Sequence, residues 1–503
     1  MSDTASTRAT RNTPDRRPLT AAPDLLSSLA ALLAAWVPRQ RWFAGKGRMV
    51  TGFALLSATE LLPCTAEGGA PGLLHLLVRA QQSAPPSRTP AGGDCYQLLL
   101  GVHPAPPPQL APAAIGRPAG GPLAGRTVYD ALLDQRLCGL LLERLRVPGR
   151  LGALRFCREP DAVIPSGLTG RPIAVEQSNS SIVYGDSFIL KVFRRIEPGI
   201  NPDLELPRAL ADAKCARVPA PAAWFEAPAV EEGGEATTLG VLQPFLPGSA
   251  DGWQLALNAL AVRADFSGSA RALGHATAEV HTALAQTLPV TELRRPQLEE
   301  IAARMNERLT ATARAVPVLQ PYRARLRTAF DALATLGRDG RGWAAQRIHG
   351  DLHLGQTLRS ADEGRWSLID FEGEPARPLA ERRRLQPAVR DVAAMLRSFD
   401  YAARSGPAGG DPWSLDWARR TRDAYCLGYA EAGGLDPRSA PELMRAYETD
   451  KAVYEVLYEA RHRPDWLSVP MAAIRRLAAC GEPAVGADGL PGASRSAGSD
   501  GRG

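Results

Sequence analysis

The chain has 503 residues, 45% of them hydrophobic, with a net charge of +6 and a pI of about 9.0. That length supports two or three domains with buried cores. The positive charge is almost all arginine, with lysine only at positions 46, 191, 214 and 451, and no basic run is interleaved with aromatics. This argues against a nucleic-acid-binding chain. Seven scattered cysteines without metal-ligand spacing predict reduced thiols and a cytoplasmic protein. The longest apolar stretch, residues 25–37, is too short to span a bilayer, and the first 19 residues lack the apolar core of a secretory signal. Neither nucleic acid nor membrane is expected as a partner.

In chain order, residues 1–22 read as disordered. Residues 23–125 read as an N-terminal cap, with a helix over 25–37, the segment WFAGKGR at 42–48, and strands over 52–62, 73–79 and 95–102. The GKG is not a phosphate-binding P-loop, because no Ser or Thr follows Lys46 and no Gly stands five residues before it. Pro/Gly/Ala tracts at 83–93 and 104–125 read as exposed loops.

Residues 126–248 read as a nucleotide-holding lobe. A polar turn at 175–181 leads into a hairpin whose second strand, 188–193, carries Lys191 behind three apolar residues. That is the setting of a lysine that grips the α- and β-phosphates of ATP. The turn lacks GxGxxG, but small polar residues can cradle phosphate through backbone amides, and Ser180 is the candidate there. A helix opening near residue 201 should carry the acid that orients Lys191. Glu205 is the first candidate and Asp203 the rival. The apolar strand at 241–247 ends in proline and reads as the hinge between lobes, with Gln243 and Leu246 on the adenine side.

Residues 249–480 read as a mainly helical lobe, with helices over 270–288, 298–315, 320–336, 388–404, 415–433 and 441–462. His275 and His281 read as packing or cap residues of an Ala-rich helix. The tail from 481 reads as disordered.

Between those helices lies the segment RIHGDLHLGQTLRSADEGRWSLIDFEGE, residues 347–374. It holds an HGD turn, a carboxamide five residues after its Asp, and a second Asp closing an apolar strand. This is the spacing of a kinase catalytic loop followed by a metal-binding Asp. Asp351 takes the base position, Gln356 the amide position and Asp370 the metal position. Phosphoryl transfer needs an acceptor hydroxyl held in line and the phosphate charge neutralised. One carboxylate can orient the hydroxyl and take its proton, while a carboxylate and an amide carbonyl suit Mg²⁺. The pattern therefore predicts transfer of a phosphoryl group.

The helix over 441–462 suggests the acceptor. Lys451, Tyr454, Tyr458 and Arg461 fall on one face, while Val453, Val456 and Ala460 lie mostly on the other. Phenol rings stack on sugar faces and charged groups bond hydroxyls, so this face suits a polyhydroxylated substrate, unless the tyrosines simply pack in a core. Glu455, Glu459 and Trp466 extend the same chemistry.

The motifs HGDLHLGQ, IDFEGEP, RDVAAMLRSFDYA and DKAVYEVLYEARHRPDWL, together with WFAGKGR and QSNSSIVYGD, resemble the actinobacterial maltokinases. These belong to the aminoglycoside-phosphotransferase-like, eukaryotic-kinase-like superfamily. The resemblance covers about residues 23–478. It implies an α+β bilobal protein-kinase-like fold with an extra N-terminal cap and a mainly helical C-terminal lobe. It further implies ATP- and Mg²⁺-dependent phosphorylation of maltose at its anomeric hydroxyl, giving maltose 1-phosphate on a route from trehalose to α-glucan, and association with a trehalose synthase. By the same resemblance Asp351 is the base, Gln356 and Asp370 hold Mg²⁺, and His353, Tyr401, Lys451, Tyr454, Tyr458 and Trp466 line the maltose pocket. Two rivals stand beside it. One is a kinase of glucosamine or another aminosugar or aminoglycoside, which would place carboxylates around the acceptor. The other is a catalytically inactive scaffold, which the presence of Lys191, Asp351, Gln356 and Asp370 disfavours.

Overall fold

A computed structural model describes residues 24–479, apart from 65–69, 84–92, 174–177, 230–233, 337, 339, 341, 376 and 406–408. The two chain ends read as disordered, most of the loop at 83–93 and the start of the polar turn at 175–181 lie outside the described residues.

The cap opens with helix α1 (Leu25–Trp36) and continues through strands β1 (Val50–Leu62), β2 (Gly72–Gln82), β3 (Cys95–His103), β4 (Ala114–Gly116) and β5 (Thr127–Asp130). These strands form a sheet in the order β1-β2-β3-β5-β4. Strand β2, GLLHLLVRAQQ, is apolar on both faces because both faces are covered. Leu74, Leu76 and Val78 pack with Leu25, Leu29 and Leu33 of α1. Leu73 and Leu77, one step out of phase, pack toward the next sheet. The cap sheet runs on to Asp130, past the boundary expected at 125. The stretch 104–125, read as an exposed loop, contains β4 and buries Leu110, Ala113 and Leu123.

Next come helix α2 (Gln135–Arg146) and strands β6 (Gly149–Leu151), β7 (Leu154–Arg158), β8 (Gly170–Ile173), β9 (Asn179–Tyr184), β10 (Phe188–Phe193) and β11 (Arg195–Ile196). Helix α3 (Pro202–Asp212) follows, then β12 (Ala223–Ala227) and β13 (Thr237–Pro244). Seven of these strands form a sheet in the order β6-β7-β12-β13-β10-β9-β8. The short β11 leaves it to pair with β3 of the cap. Buried Gln97 of β3 reinforces the junction, donating to the carbonyls of Phe193 and Leu239 at 2.7 and 2.8 Å and accepting from His75 at 2.8 Å.

The helical lobe holds β14 (Ala250–Asp251), α4 (Gly252–Ala261), α5 (Ser267–Thr287), β15 (Thr291–Leu293), α6 (Arg295–Ala315), α7 (Arg323–Thr335) and β16 (Trp343–Ala345). It continues with β17 (Thr357–Arg359), β18 (Trp366–Leu368), α8 (Leu379–Arg382), α9 (Val389–Ala402), α10 (Pro412–Glu431), α11 (Pro441–His462) and α12 (Ser468–Ala479). Two sheeted units and a helical lobe give a kinase-like fold with an N-terminal cap. No helix among the described residues is long and apolar enough to cross a membrane. Six cysteines are described, and no disulfide joins them among the described residues.

Candidate active site

The HGD turn leaves β16 and is fixed from behind. Buried Asp391 of α9 accepts from the backbone N–H of His349 at 2.8 Å and of Gly350 at 2.9 Å. His281 of α5 stands 3.1 Å from the same carboxylate, with its other ring nitrogen 2.9 Å from the Tyr429 hydroxyl. Burial pushes the Asp391 carboxyl up, but His281 and the backbone donors outweigh it and hold the group ionised. Gly350 has φ +85°, and a β-carbon there would stand 3.4 Å from the Gly373 Cα. His281 is therefore a support of the HGD turn rather than simple helix packing.

The turn also reaches the strand end. His349 Nε2 lies 2.9 Å from the Ile369 carbonyl, and its ring packs on Phe371 at 4.6 Å. Asp370 has φ +65°, a conformation few residues other than glycine adopt, and strain of this kind gathers at functional sites. Gln356 donates to Asp370 Oδ2 at 2.8 Å, so these two expected oxygen donors are adjacent.

Lys191 projects from β10 to meet them. Its ammonium is 3.0 Å from Asp203, 2.5 Å from Asp370 and 2.5 Å from Glu372. The acid of α3 that faces Lys191 is thus Asp203. Glu205 instead pairs with Arg347 at 2.6 Å. The two acids lie two residues apart on one helix, about 200° around its axis, so they serve different neighbours. Asp203 also accepts from the Phe371 N–H at 2.7 Å and so braces the loop carrying Asp370.

Ser180 does not face Lys191. In the β9–β10 ladder Lys191 is opposite Ser181, so Asn179 and Ser181 share its face and Ser180 points the other way. There it accepts from Arg194 at 2.8 Å. Asn179 donates to Glu372 at 2.5 Å. Gln243 closes onto Ile189 near the end of β13, and Leu246 follows where the chain passes toward the helical lobe.

Oxygen atoms of Asp203, Asp370 and Glu372 lie within 4.8 Å of one another. One ammonium faces three carboxylates, and the Gln356 amide is alongside. This excess of negative, oxygen-rich charge fits a hard divalent cation such as Mg²⁺. Burial raises the Asp370 carboxyl, yet Lys191 and Gln356 pull it below its ordinary range. Burial raises Glu372, and Lys191 only partly opposes it. Glu372 and Asp203 joined this group only through the fold.

On the acceptor side, Lys451 of α11 donates to Asp351 Oδ1 at 2.8 Å and lies 3.7 Å from Glu374. Burial alone would discharge Lys451, but Asp351 and Glu374 raise it well above its ordinary value. His353 is half-buried near Asp351 and Lys451, and desolvation lowers its pKa. Lys451 sits over the Tyr454 ring at 4.9 Å, Tyr454 stacks on Tyr458 at 6.2 Å, and Tyr458 on His462 at 4.6 Å. Opposite this row, Tyr401 stacks on Trp466 at 6.1 Å and donates to buried Glu459 at 2.5 Å. Arg461 is exposed and does not join the row. Arg463, beyond the end of α11, takes that place, bonding Glu459 at 2.6 Å and covering the rings of Tyr458 and Trp466 at 5.6 and 5.3 Å.

A lysine clamped between two lobes' acids, an HGD turn and a strand-end Asp together define a kinase-like phosphotransferase. Comparison with known proteins agrees. Residues 169–435 match the family model described as the phosphotransferase enzyme family, and residues 36–134 match the maltokinase N-terminal cap domain. The first match covers more than half of the chain, and the chain belongs to this phosphotransferase family, with a maltokinase-type cap. The glucosamine kinase of Streptacidiphilus jiangxiensis is 31% identical over 332 residues, 60% of this chain and 71% of the relative. That of Mycolicibacterium smegmatis is 30% identical over 328 residues, 61% of this chain and 79% of the relative. A solved glucosamine kinase in complex with glucosamine, ADP and inorganic phosphate shares the fold, with a TM-score of 0.61 at 24% identity over 89% of this chain and 98% of that one.

Proposed function

We propose that this chain transfers the γ-phosphoryl group of ATP to the anomeric hydroxyl of maltose, giving maltose 1-phosphate and ADP. Asp351 orients that hydroxyl and takes its proton as the oxygen attacks phosphorus and the β–γ bridge breaks toward ADP. Lys191, braced by Asp203, holds the α- and β-phosphates. Gln356 and Asp370, with Glu372 beside them, would hold Mg²⁺, which neutralises phosphate charge when bound. Adenine lies against the hinge of Gln243 and Leu246.

The observation that carries the acceptor assignment is the aromatic row beginning at Asp351. Lys451 to Tyr458 spans seven residues, roughly 10 Å of helix, which accommodates two sugar rings end to end. Tyr401 and Trp466 supply a second wall, with His353 at the inner end. The carboxylates along this row already have partners: Asp351 with Lys451, Glu459 with Tyr401 and Arg463, Glu455 with Arg397 at 2.6 Å. A neutral sugar fits such a surface better than a cation does. On this reading the product feeds α-glucan synthesis from trehalose in the cytoplasm.

Glucosamine is the second reading, favoured by the names of the two relatives. Its ammonium would have to lie near Lys451, where the described carboxylates of Asp351 and Glu374 already face cations. The test is ATP consumption with Mg²⁺ against maltose, glucose, glucosamine, trehalose, maltotriose and kanamycin. Maltose is expected to give the highest kcat/KM, and a preference for glucosamine would replace it as acceptor.

A further inference from the structure

Helix α3 carries two acids with two destinations. Asp203 braces Lys191 and the Asp370 loop, as described. Glu205 crosses to the other lobe, where Arg347 immediately precedes the Ile-His-Gly-Asp stretch that ends in Asp351.

Arg347 is 5% exposed, and its Nη1 meets Glu205 Oε2 at 2.6 Å. Among the described residues its Nε and Nη2 have no acceptor. Glu205 is thus the group that compensates a buried guanidinium at the root of the catalytic turn, and a buried charge stripped of its partner is costly. The same carboxylate lies 3.7 Å from Arg383, which also holds Glu235 of the nucleotide lobe at 3.2 Å. Arg382, its neighbour, pairs with Glu197 at 3.2 Å. The segment following Asp370 is therefore strapped to the nucleotide lobe beside the Glu205–Arg347 pair.

We infer that Glu205 and Arg347 form a positioning pair that sets the catalytic turn, and so Asp351, relative to the nucleotide lobe. Through α3 one helix registers both reaction partners: Asp203 fixes the phosphate-side lysine and Glu205 fixes the base-side turn. The pair lies outside the residues assigned to nucleotide, metal and sugar. Its effect falls on kcat, because a small misplacement of the base against an otherwise bound substrate slows transfer without loosening binding.

The inference rests on Asp351 as base but not on the identity of the sugar. The experiment measures kcat, KM for ATP, KM for sugar and thermal midpoint for Glu205→Gln, Arg347→Met, Arg347→Lys and the double variant Glu205→Gln/Arg347→Met. The sugar is whichever one the wild-type chain phosphorylates, so a wrong acceptor assignment leaves the test intact. Glu205→Gln and Arg347→Met are each expected to lower kcat about tenfold or more, with KM for ATP shifted less than about twofold. Arg347→Lys should recover a large part of the loss, and the double variant should be little worse than either single one. A kcat within about twofold of wild type in Glu205→Gln would overturn the inference, as would a rise in KM for ATP as large as the fall in kcat. Additive losses in the double variant, tracking the drop in thermal midpoint, would assign the pair to folding alone.

Discussion

The Lys451 ammonium donates to Asp351 Oδ1 at 2.8 Å, joining helix α11 to the tip of the HGD turn. The HGD turn and the aromatic row of α11 thus meet at this ion pair, and Glu374, 3.7 Å from the same ammonium, anchors it from the loop after Asp370.

Replacing Asp351 with Asn keeps the shape of the turn and removes the proton acceptor. Turnover should fall by about 10²-fold or more, while ATP binding, followed by calorimetry, stays near wild type. A variant retaining most of its rate would remove Asp351 from the role of base.

Lys191→Ala and Asp203→Asn should act on the nucleotide. Both are expected to raise KM for ATP more than KM for sugar, because Asp203 holds Lys191 at 3.0 Å. An unchanged ATP dependence in Lys191→Ala would place the phosphates elsewhere.

Tyr454→Ala and Tyr458→Ala remove successive rings of the stacked row. Each should raise KM for sugar several-fold, by roughly 1 kcal/mol of lost stacking, and leave KM for ATP alone. Equal changes in both constants would mark damage to the fold.

Asp391→Ala should disable the chain by a different route. It orphans the buried N–H groups of His349 and Gly350, at about 1–3 kcal/mol each. The expected result is a lower thermal midpoint together with lost turnover. Full activity would show that the HGD turn holds its shape without Asp391.

Acid should weaken the cap junction. Burial pushes His75 from 6.5 down to about 4, its bond to Gln97 opposing this only partly. The unfolded chain therefore takes up this proton first as pH falls below 6.5. The stability contribution is complete above 6.5 and is lost toward pH 4, at about 1.4 kcal/mol per pH unit. Thermal midpoints of wild type and His75→Gln, read from pH 7 to pH 4.5, should converge as the pH drops. Parallel curves would contradict this.

The parts of the site legible in the sequence were those with local spacing. The HGD turn, its Gln and the strand-end Asp are set by short offsets along the chain, and the Lys451–Tyr454–Tyr458 row by one helix period. The parts that were not legible depend on how separate elements dock. Whether Asp203 or Glu205 faces Lys191 is fixed only when α3 settles against β10. Ser180 turns away because of its register with a neighbouring strand. Arg463 replaces Arg461 because the helix ends at His462 and the next residue, with φ −145°, leaves the helical phase. His281 and Asp391 meet across 110 residues, which no local pattern encodes. The cap boundary moved for a similar reason, since β5 pairs with β3 and β4, both of which lie upstream.

The position of the new phosphate tests the transfer to the anomeric hydroxyl of maltose. Maltose incubated with the chain, ATP and Mg²⁺ is examined by ¹H–³¹P correlation NMR. The phosphorus is expected to couple to the anomeric proton of the reducing ring. Coupling to any other position, or phosphate appearing only on an aminosugar control, would contradict it.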